Sequence, residues 1–427
     1  MADGTTYPVP DGTTWDDAQG NEWTSHGADV ELYEPPGWNA VAFRIEVETS
    51  TPGTWLDITD DYVSASWSGS TRQRWGTRFL PGGATVTIKN PHYLGWHGYY
   101  HPSWGSADRL LWKSQPIRIT AIHGTFETQM FQGTVRQIVA PTIHGGPDIV
   151  TVHAQTPLAV AGRGARTAVT AVGAGELAGA RIGRILDSMS WPSGDRDLDT
   201  GYTGRTLQAT TLAGSAATEL EVTAASDGGE VFEDPNGQIV FRDWGTLSVA
   251  KDADPKIVLL RDPSIVTGFP PWWSAPVVGA FAEALCDDDL ATIVNHATIT
   301  RVGGTPQVNE HVGSQGIHGM APFSRSDLIN EYDSWPDSYG FRLVDRTNAP
   351  WPQHTSVTVA SGDSYVVDVM LNLSPLDIIY TYDFPVTGRT EVEGIRHTIR
   401  PARSDDHPEG RTDIWTVALN IDKTYVL

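Results

Sequence analysis

The sequence is short of thiols, of lysine and of long apolar runs. Cys286 is the single cysteine in 427 residues, which excludes an intrachain disulfide, a cysteine-based metal site and a redox pair. It fits folding in a reducing compartment without requiring one. No run approaches the ~18 apolar residues of a membrane-spanning helix. The opening Met1-Ala-Asp-Gly4 has neither a basic segment nor an apolar core, so no signal peptide is expected. Of 29 basic residues only 5 are lysine and 24 are arginine, a bias that reflects GC-rich codons rather than folding. Against them stand 52 acidic residues, giving a formal net charge of -23. That balance argues against a surface that grips nucleic acid by its phosphates. It fits solubility, or a surface that repels polyanions.

Catalytic fingerprints are absent as well. There is no H-E-x-x-H and no G-x-S-x-G, and Cys286 has no histidine at a telling spacing. Gly162-Arg-Gly164 and Gly173-Ala-Gly175 lack the strand–turn–helix setting of a phosphate loop. Pairs of carboxylates for glycoside hydrolysis can be drawn anywhere among 52 acidic residues, so they decide nothing. Asp195-Arg-Asp197-Leu-Asp199-Thr-Gly201 has a calcium-like alternation, but its sixth residue is Thr200 and its twelfth Thr206, where a calcium loop needs Gly and Glu. His92, His97 and His101 lie close together in a loop without a ligand frame. Asp287-Asp288-Asp289 reads as a helix start or an exposed acidic loop. No catalytic, cofactor-binding or metal-binding set is nominated, and an enzyme is not expected.

What is present is turn chemistry and aromatics: 43 Gly, 28 Pro and 16 Trp, with 39% apolar residues. This is the profile of a turn-rich, mainly β chain. Val41 to Glu48 alternates apolar and polar residues strictly, as a strand with one buried face does. Ala84 to Lys89, Ile117 to Thr120, Gly133 to Ile138 and Asp148 to Ala154 continue the series, which suggests a barrel or sandwich. The period then changes. Ile182, Ile185, Leu186 and Met189 share a helix face, and Ala213, Ala217, Leu220 and Ala224 mark a second helix stopped by Gly228-Gly229. A hairpin over 230–243 turns at Asp234-Pro235-Asn236-Gly237. Further strands are expected at Ile293–Val302, Ser364–Val369, Leu376–Tyr382, Gly394–Arg400 and Asp413–Ile421.

The expected organisation is an N-terminal arm over 1–40, a first β-barrel over 41–165, an α+β module over 166–248, and a second β-barrel region over 249–427 with a long irregular excursion at about 303–356. One repeat stands out. Val135-Arg-Gln-Ile-Val-Ala-Pro141 precedes Asp148-Ile-Val-Thr-Val152, and Ile395-Arg-His-Thr-Ile-Arg-Pro401 precedes Asp413-Ile-Trp-Thr-Val417. It marks either two related barrels or the general likeness of any two hairpins. The loop from Pro91 to Trp104 is dense in aromatics. Trp96, Tyr99, Tyr100 and Trp104, with Trp272 and Trp273 after Pro270-Pro271, are candidate anchors for a neighbouring subunit or for sugars. A loop folded over its own barrel explains them equally well.

Taken in order, several phrases resemble the minor tail proteins of long-tailed, siphovirus-type bacteriophages that form the tail-tip or baseplate hub. They are Trp55-Leu-Asp-Ile-Thr-Asp60, Thr71-Arg-Gln-Arg-Trp75, Ala84 to Pro91, Gln115 to Ile119, Phe131-Gln-Gly-Thr-Val135, Val152 to Leu158, Trp191 to Gly201, Gly229 to Arg242, and Val392-Glu-Gly-Ile-Arg-His397. The match covers roughly residues 43 to 250 and the last 40. The resemblance implies two tube-like barrels per subunit with an α+β module between them, three subunits presenting six barrels to a six-fold tube, and no cofactor. It implies partners in the chain itself, the tail tube or distal tail protein, other tail-tip proteins and the tape-measure protein, with DNA only in transit, all within the virion. A distal tail ring or a carbohydrate- or receptor-binding tip protein is the alternative, and a cell-wall hydrolase comes third. An acidic chain suits a channel whose wall must not hold DNA.

Overall fold

In a computed structural model the described residues are 14–16, 22–24, 41–72, 79–90, 100, 110–140, 149–163, 174–250, 254–261, 277–287, 293–349, 353–361, 364–383, 386–401 and 413–423. Within the expected arm, β1 (Thr14–Asp16) and β2 (Glu22–Thr24) pair antiparallel; the rest of that segment lies outside the described residues.

The first barrel domain holds β3 (Val41–Glu48), β4 (Trp55–Asp57), β5 (Tyr62–Ser68), the short pair β6 (Thr71–Arg72) and β7 (Phe79–Leu80), β8 (Gly83–Lys89), β9 (Pro116–His123), β10 (Phe126–Val139) and β11 (Ile149–Gln155). The alternation read from the sequence is the alternation of burial: Val41, Phe43, Ile45 and Val47 point inward, as do Ala84, Val86 and Ile88. A module follows, with α1 (Pro157–Ala161), α2 (Ala178–Asp187), β12 (Arg196–Leu198), α3 (Ala216–Asp227), β13 (Glu230–Glu233), β14 (Ile239–Arg242) and α4 (Trp244–Ala250). Ile182, Ile185 and Leu186 of α2 are fully buried against Leu220 and Ala224 of α3. Gly228 ends α3 in the left-handed conformation, φ 76°.

The second barrel domain holds β15 (Val258–Leu260) and β16 (Val278–Asp287). Next comes a small sheet of β17 (His296–Arg301), β18 (Gln307–Glu310) and β19 (Pro322–Leu328), with α5 (Val312–His318) and α6 (Ser334–Thr347). The chain then returns to β20 (Gln353–Ser361), α7 (Ser364–Asn372), β21 (Ile378–Asp383), β22 (Val386–Pro401) and β23 (Asp413–Lys423). The chain is mainly β: thirteen strands run in one continuous sheet, β21-β15-β16-β20-β23-β22-β5-β8-β11-β10-β9-β3-β4, and the pairing of β21 with β22 closes its second half into a six-stranded barrel.

The two halves share one strand order. In the first, the spatial order β5-β8-β11-β10-β9-β3 comes from strands met in the sequence as β3, β5, β8, β9, β10, β11. In the second, β16-β20-β23-β22-β21-β15 comes from β15, β16, β20, β21, β22, β23. Replacing each strand by its counterpart turns one order into the other; the first strand alone differs in direction, because β3 runs antiparallel to β9 whereas β15 runs parallel to both β21 and β16. The repeated hairpins occupy equivalent places and share a register: Val135 faces Ala154 as Ile395 faces Leu419. They differ by a bulge after Val135, where Arg136 is the extra residue.

Three expectations need correction. The segment 303–356 is not irregular: it carries β18, α5, β19, α6 and the start of β20, and α6 buries Trp335, Gly340, Val344 and Thr347 on the small sheet. Ile293–Val302 contributes β17 to that sheet and not to the barrel. Ser364–Val369 is the first part of a helix, because Val366, Val367, Met370 and Leu371 together fit a helical face that packs on the barrel core. Its β-branched valines favour a strand only when the surroundings are left out. Asp287 ends a strand, while residues 288 and 289 lie outside the described residues.

Candidate interface at the seam of the two barrels

The halves join where β22 pairs with β5 over Arg396↔Ser68, His397↔Trp67, Thr398↔Ser66 and Ile399↔Ala65. Beneath this seam the imidazole of His397 is sandwiched between two indoles, 5.1 Å from Trp67 and 5.8 Å from Trp415 between ring centroids, with interplanar angles of 19° and 17°. Trp415 Nε1 donates to His397 Nδ1 at 3.2 Å. Phe43 meets both indoles edge-on, 5.6 Å from each. Four strands, β3, β5, β22 and β23, thus supply one aromatic cluster, so the two barrels share a core. Burial drives the His397 pKa down to about 3, because the charged imidazolium loses its hydration there.

Polar contacts tie the module to this seam. The Arg72 guanidinium of β6 reaches Glu230 of β13 at 2.6 Å and Glu391 of β22 at 3.1 Å, and thereby links first barrel, module and second barrel. Both carboxylates are buried, where breaking an ion pair is costly. Glu233, also buried, accepts from the backbone N–H groups of Gly82 at 2.9 Å and Leu158 at 2.8 Å. Desolvation raises its pKa, while these hydrogen bonds oppose the rise.

The inserted sheet is fixed to the module through Arg205. Its guanidinium lies over Trp335 at 3.4 Å, Trp244 at 4.3 Å and Tyr202 at 5.1 Å and donates to the Asp227 carbonyl. Desolvation lowers its pKa to about 10, so it remains charged at neutral pH. A Cβ on Gly228 would lie 2.5 Å from Arg205 Nη1 and 2.7 Å from Trp335 Cζ2, so the helix cap and this stack demand the same glycine.

Of the candidate anchors, Tyr100 is described, and it is buried at 4% exposure. Its hydroxyl donates to Asp61 at 2.7 Å and its N–H to Asn90 at 3.1 Å, with burial raising its pKa. Tyr100 therefore packs on its own barrel and presents no ring to a neighbour. Trp96, Tyr99, Trp104, Trp272 and Trp273 lie outside the described residues, as do His92, His97 and His101. In the calcium-like loop, Asp197 pairs with Arg242, and Asp199 accepts from the Asp243 N–H at 3.0 Å. Those two carboxylates hold the end of β14, the second strand of the hairpin. Among the described residues no three His, Cys, Asp or Glu side chains are grouped as metal ligands would be.

A split, duplicated barrel with a module between the copies is specific enough to compare with solved structures. A tail protein from Neisseria meningitidis MC58 superposes with a TM-score of 0.53 over 89% of this chain and 96% of its own, at 10% identity. The fold is that of tail proteins. The 43 kDa tail protein of prophage MuSo2 from Shewanella oneidensis agrees, with a TM-score of 0.55 over 90% of this chain and 99% of its own, at 11% identity. No protein-family profile matches the chain, and no curated protein matches it by sequence. The tail-protein fold therefore persists here at an identity at which the shared features are strand order and core pattern.

Trp415 was visible in the sequence as part of the alternating face with Val417, Leu419 and Ile421. His397, Trp67, Arg72 and Arg205 were not marked as site residues. Arg72 sits in a phrase of the resemblance, yet its partner Glu391 lies 319 residues away, a distance no local pattern spans.

Proposed function

We propose that this chain is a structural subunit of a bacteriophage tail-tip hub, which joins the tail tube to the tip and forms part of the DNA channel. The observation that carries this reading is the repetition of one six-strand order within one chain. Three chains then present six near-equivalent barrels, which meets a six-fold tube with a three-fold ring. The shared aromatic core and the Arg72 clamp support it, because a ring element that transmits load needs its two barrels held rigidly. The likeness to tail proteins gives the same direction at the level of fold. On this reading the chain acts without catalysis or cofactor, works in the virion, and has as partners itself, the tube or distal tail protein, other tip proteins and the tape-measure protein.

Co-expression with the tube protein of the same particle tests this. The expected outcome is capture of the tube protein and tubes capped by the chain at one end. Saturable binding of host glycans without tube capture would replace the hub by a receptor-binding tip protein, and release of sugar or peptide fragments from cell wall would replace it by a hydrolase.

A further inference from the structure

The outer face of the sheet at the seam differs from the rest of this acidic chain. Cross-strand register lines up three rows of outward side chains over seven adjacent strands, β20-β23-β22-β5-β8-β11-β10. The central row reads Thr416, Thr398, Ser66, Thr85, His153, Gln137. On one side runs Thr358, Ala418, Arg396, Ser68, Gly83, Gln155, Thr134. On the other are Arg400 and the run Ser64, Thr87, Thr151, Val139. None of these positions is Asp or Glu, in a chain with 52 acidic residues. The charges are Arg396, Arg400, Arg136 at the bulge and Lys89 at the rim, all exposed. Where the first barrel meets the module, a shallow cleft of about 580 Å³ is lined by Ser68, Gly83, Arg136, His153 and Arg163, again without a carboxylate.

Two kinds of partner suit a weakly basic face: an acidic protein or a polyanion. Protein interfaces enrich aromatics and Met and deplete Ser, whereas these rows hold hydroxyls and amides with no aromatic and no Met. The face is a solvated wall with sparse cations, continuous across both barrels. Three copies of seven strands, at ~4.8 Å per strand, would make a girth of ~100 Å and a bore of ~30 Å between backbones.

We propose that this face is the wall that duplex DNA passes, contacted by Arg136, Arg396 and Arg400. The proposal rests on the hub reading and changes its electrostatics. The net charge of -23 suggests a wall that repels DNA, but no carboxylate stands in these rows over the seven strands; the first lies beyond their edge, where Glu283 of β16 pairs with Thr358. Hydroxyls give short-lived, water-exchangeable contacts to phosphate, and the few arginines are spread too thinly to hold the duplex at physiological salt. Arg136 and Arg396 are the repeat's shared arginine, so a ring of three would place six of them around the bore.

The test is fluorescence anisotropy of the purified chain with a short duplex across a salt series. Weak binding at ~10 mM salt is expected, lost by ~150 mM, with a log–log slope that shrinks by up to ~2.7 in R136Q/R396Q/R400Q, at ~0.9 per contact. The exposed Lys113→Gln off this face should leave binding unchanged. No binding at ~10 mM salt, or equal binding by wild type and the triple variant, would overturn the assignment. A map of the tail tip separates this from the hub reading. A three-chain ring whose bore presents another face sinks the wall and keeps the hub; a different copy number with variant-sensitive binding does the reverse.

Discussion

At the scale of single residues, His397 is the side chain whose ionisation is most tightly bound to folding. Its folded pKa of about 3 lies below the ~6.5 of an unfolded chain, so between those values the unfolded state binds the extra proton. Stability from the neutral, sandwiched ring is therefore complete above pH ~6.5 and falls as pH drops toward ~3, by at most roughly 5 kcal/mol. His397→Asn keeps an acceptor near Trp415 Nε1 and removes the titration. Thermal midpoints of both proteins at pH 7, 5 and 4 should converge as pH falls, with wild type losing more. Parallel curves would mean that the imidazole reaches water. Arg72 makes a second residue-scale case. Arg72→Met leaves the buried Glu230 and Glu391 without this cation and should cost about 3 kcal/mol in urea denaturation. Arg72→Lys should recover part of it, because one ammonium cannot reproduce a fork that spans two carboxylates. A Met variant as stable as wild type would show that the clamp is dispensable.

At the scale of elements, β23 is the strand both barrels rely on. Trp415, Val417, Leu419 and Ile421 are all at 1% exposure or less, and Trp415→Ala should cost about 3 to 5 kcal/mol. A wild-type melting temperature in that variant would make the strand peripheral. This face was legible in the sequence because it alternates cleanly between one buried side and one solvated side. The same holds for β3 and β8, and, with a helical period, for Ile182, Ile185 and Leu186 of α2; the turn at Gly237 (φ 78°) was legible from its residues, whereas α3 was legible as a helix but not by its face, since Ala213 lies exposed before it. What was hidden has physical reasons too. Helix α7 is a valine-rich apolar run too short to show its period. The inserted sheet has strands of four to seven residues and mixed polarity, and its order comes from tertiary contacts such as Arg205 on Trp335. The barrel seam could not be read at all, since Trp67 and His397 meet only when two distant hairpins align.

At the scale of the whole molecule, one chain carries the same strand order twice, and the repeat of Val135–Val152 at Ile395–Val417 falls on the two equivalent hairpins. Strand order holds the duplication better than residue identity does, because each strand must keep its neighbours and its buried face, and little else. The copies have diverged where they connect. Ser68 to Gly83 links β5 to β8 in the first barrel, while the counterpart link between β16 and β20 carries the inserted sheet. That asymmetry sets the two halves apart on one surface; on the hub reading proposed above, it would leave the seam side near-equivalent between them. A cryo-EM map of the tail tip, resolved well enough to count chains around the bore, tests this most directly. The account predicts three copies, with two barrels from each alternating around a six-barrel ring. Six copies, or a single copy, at that level of the tail would contradict it.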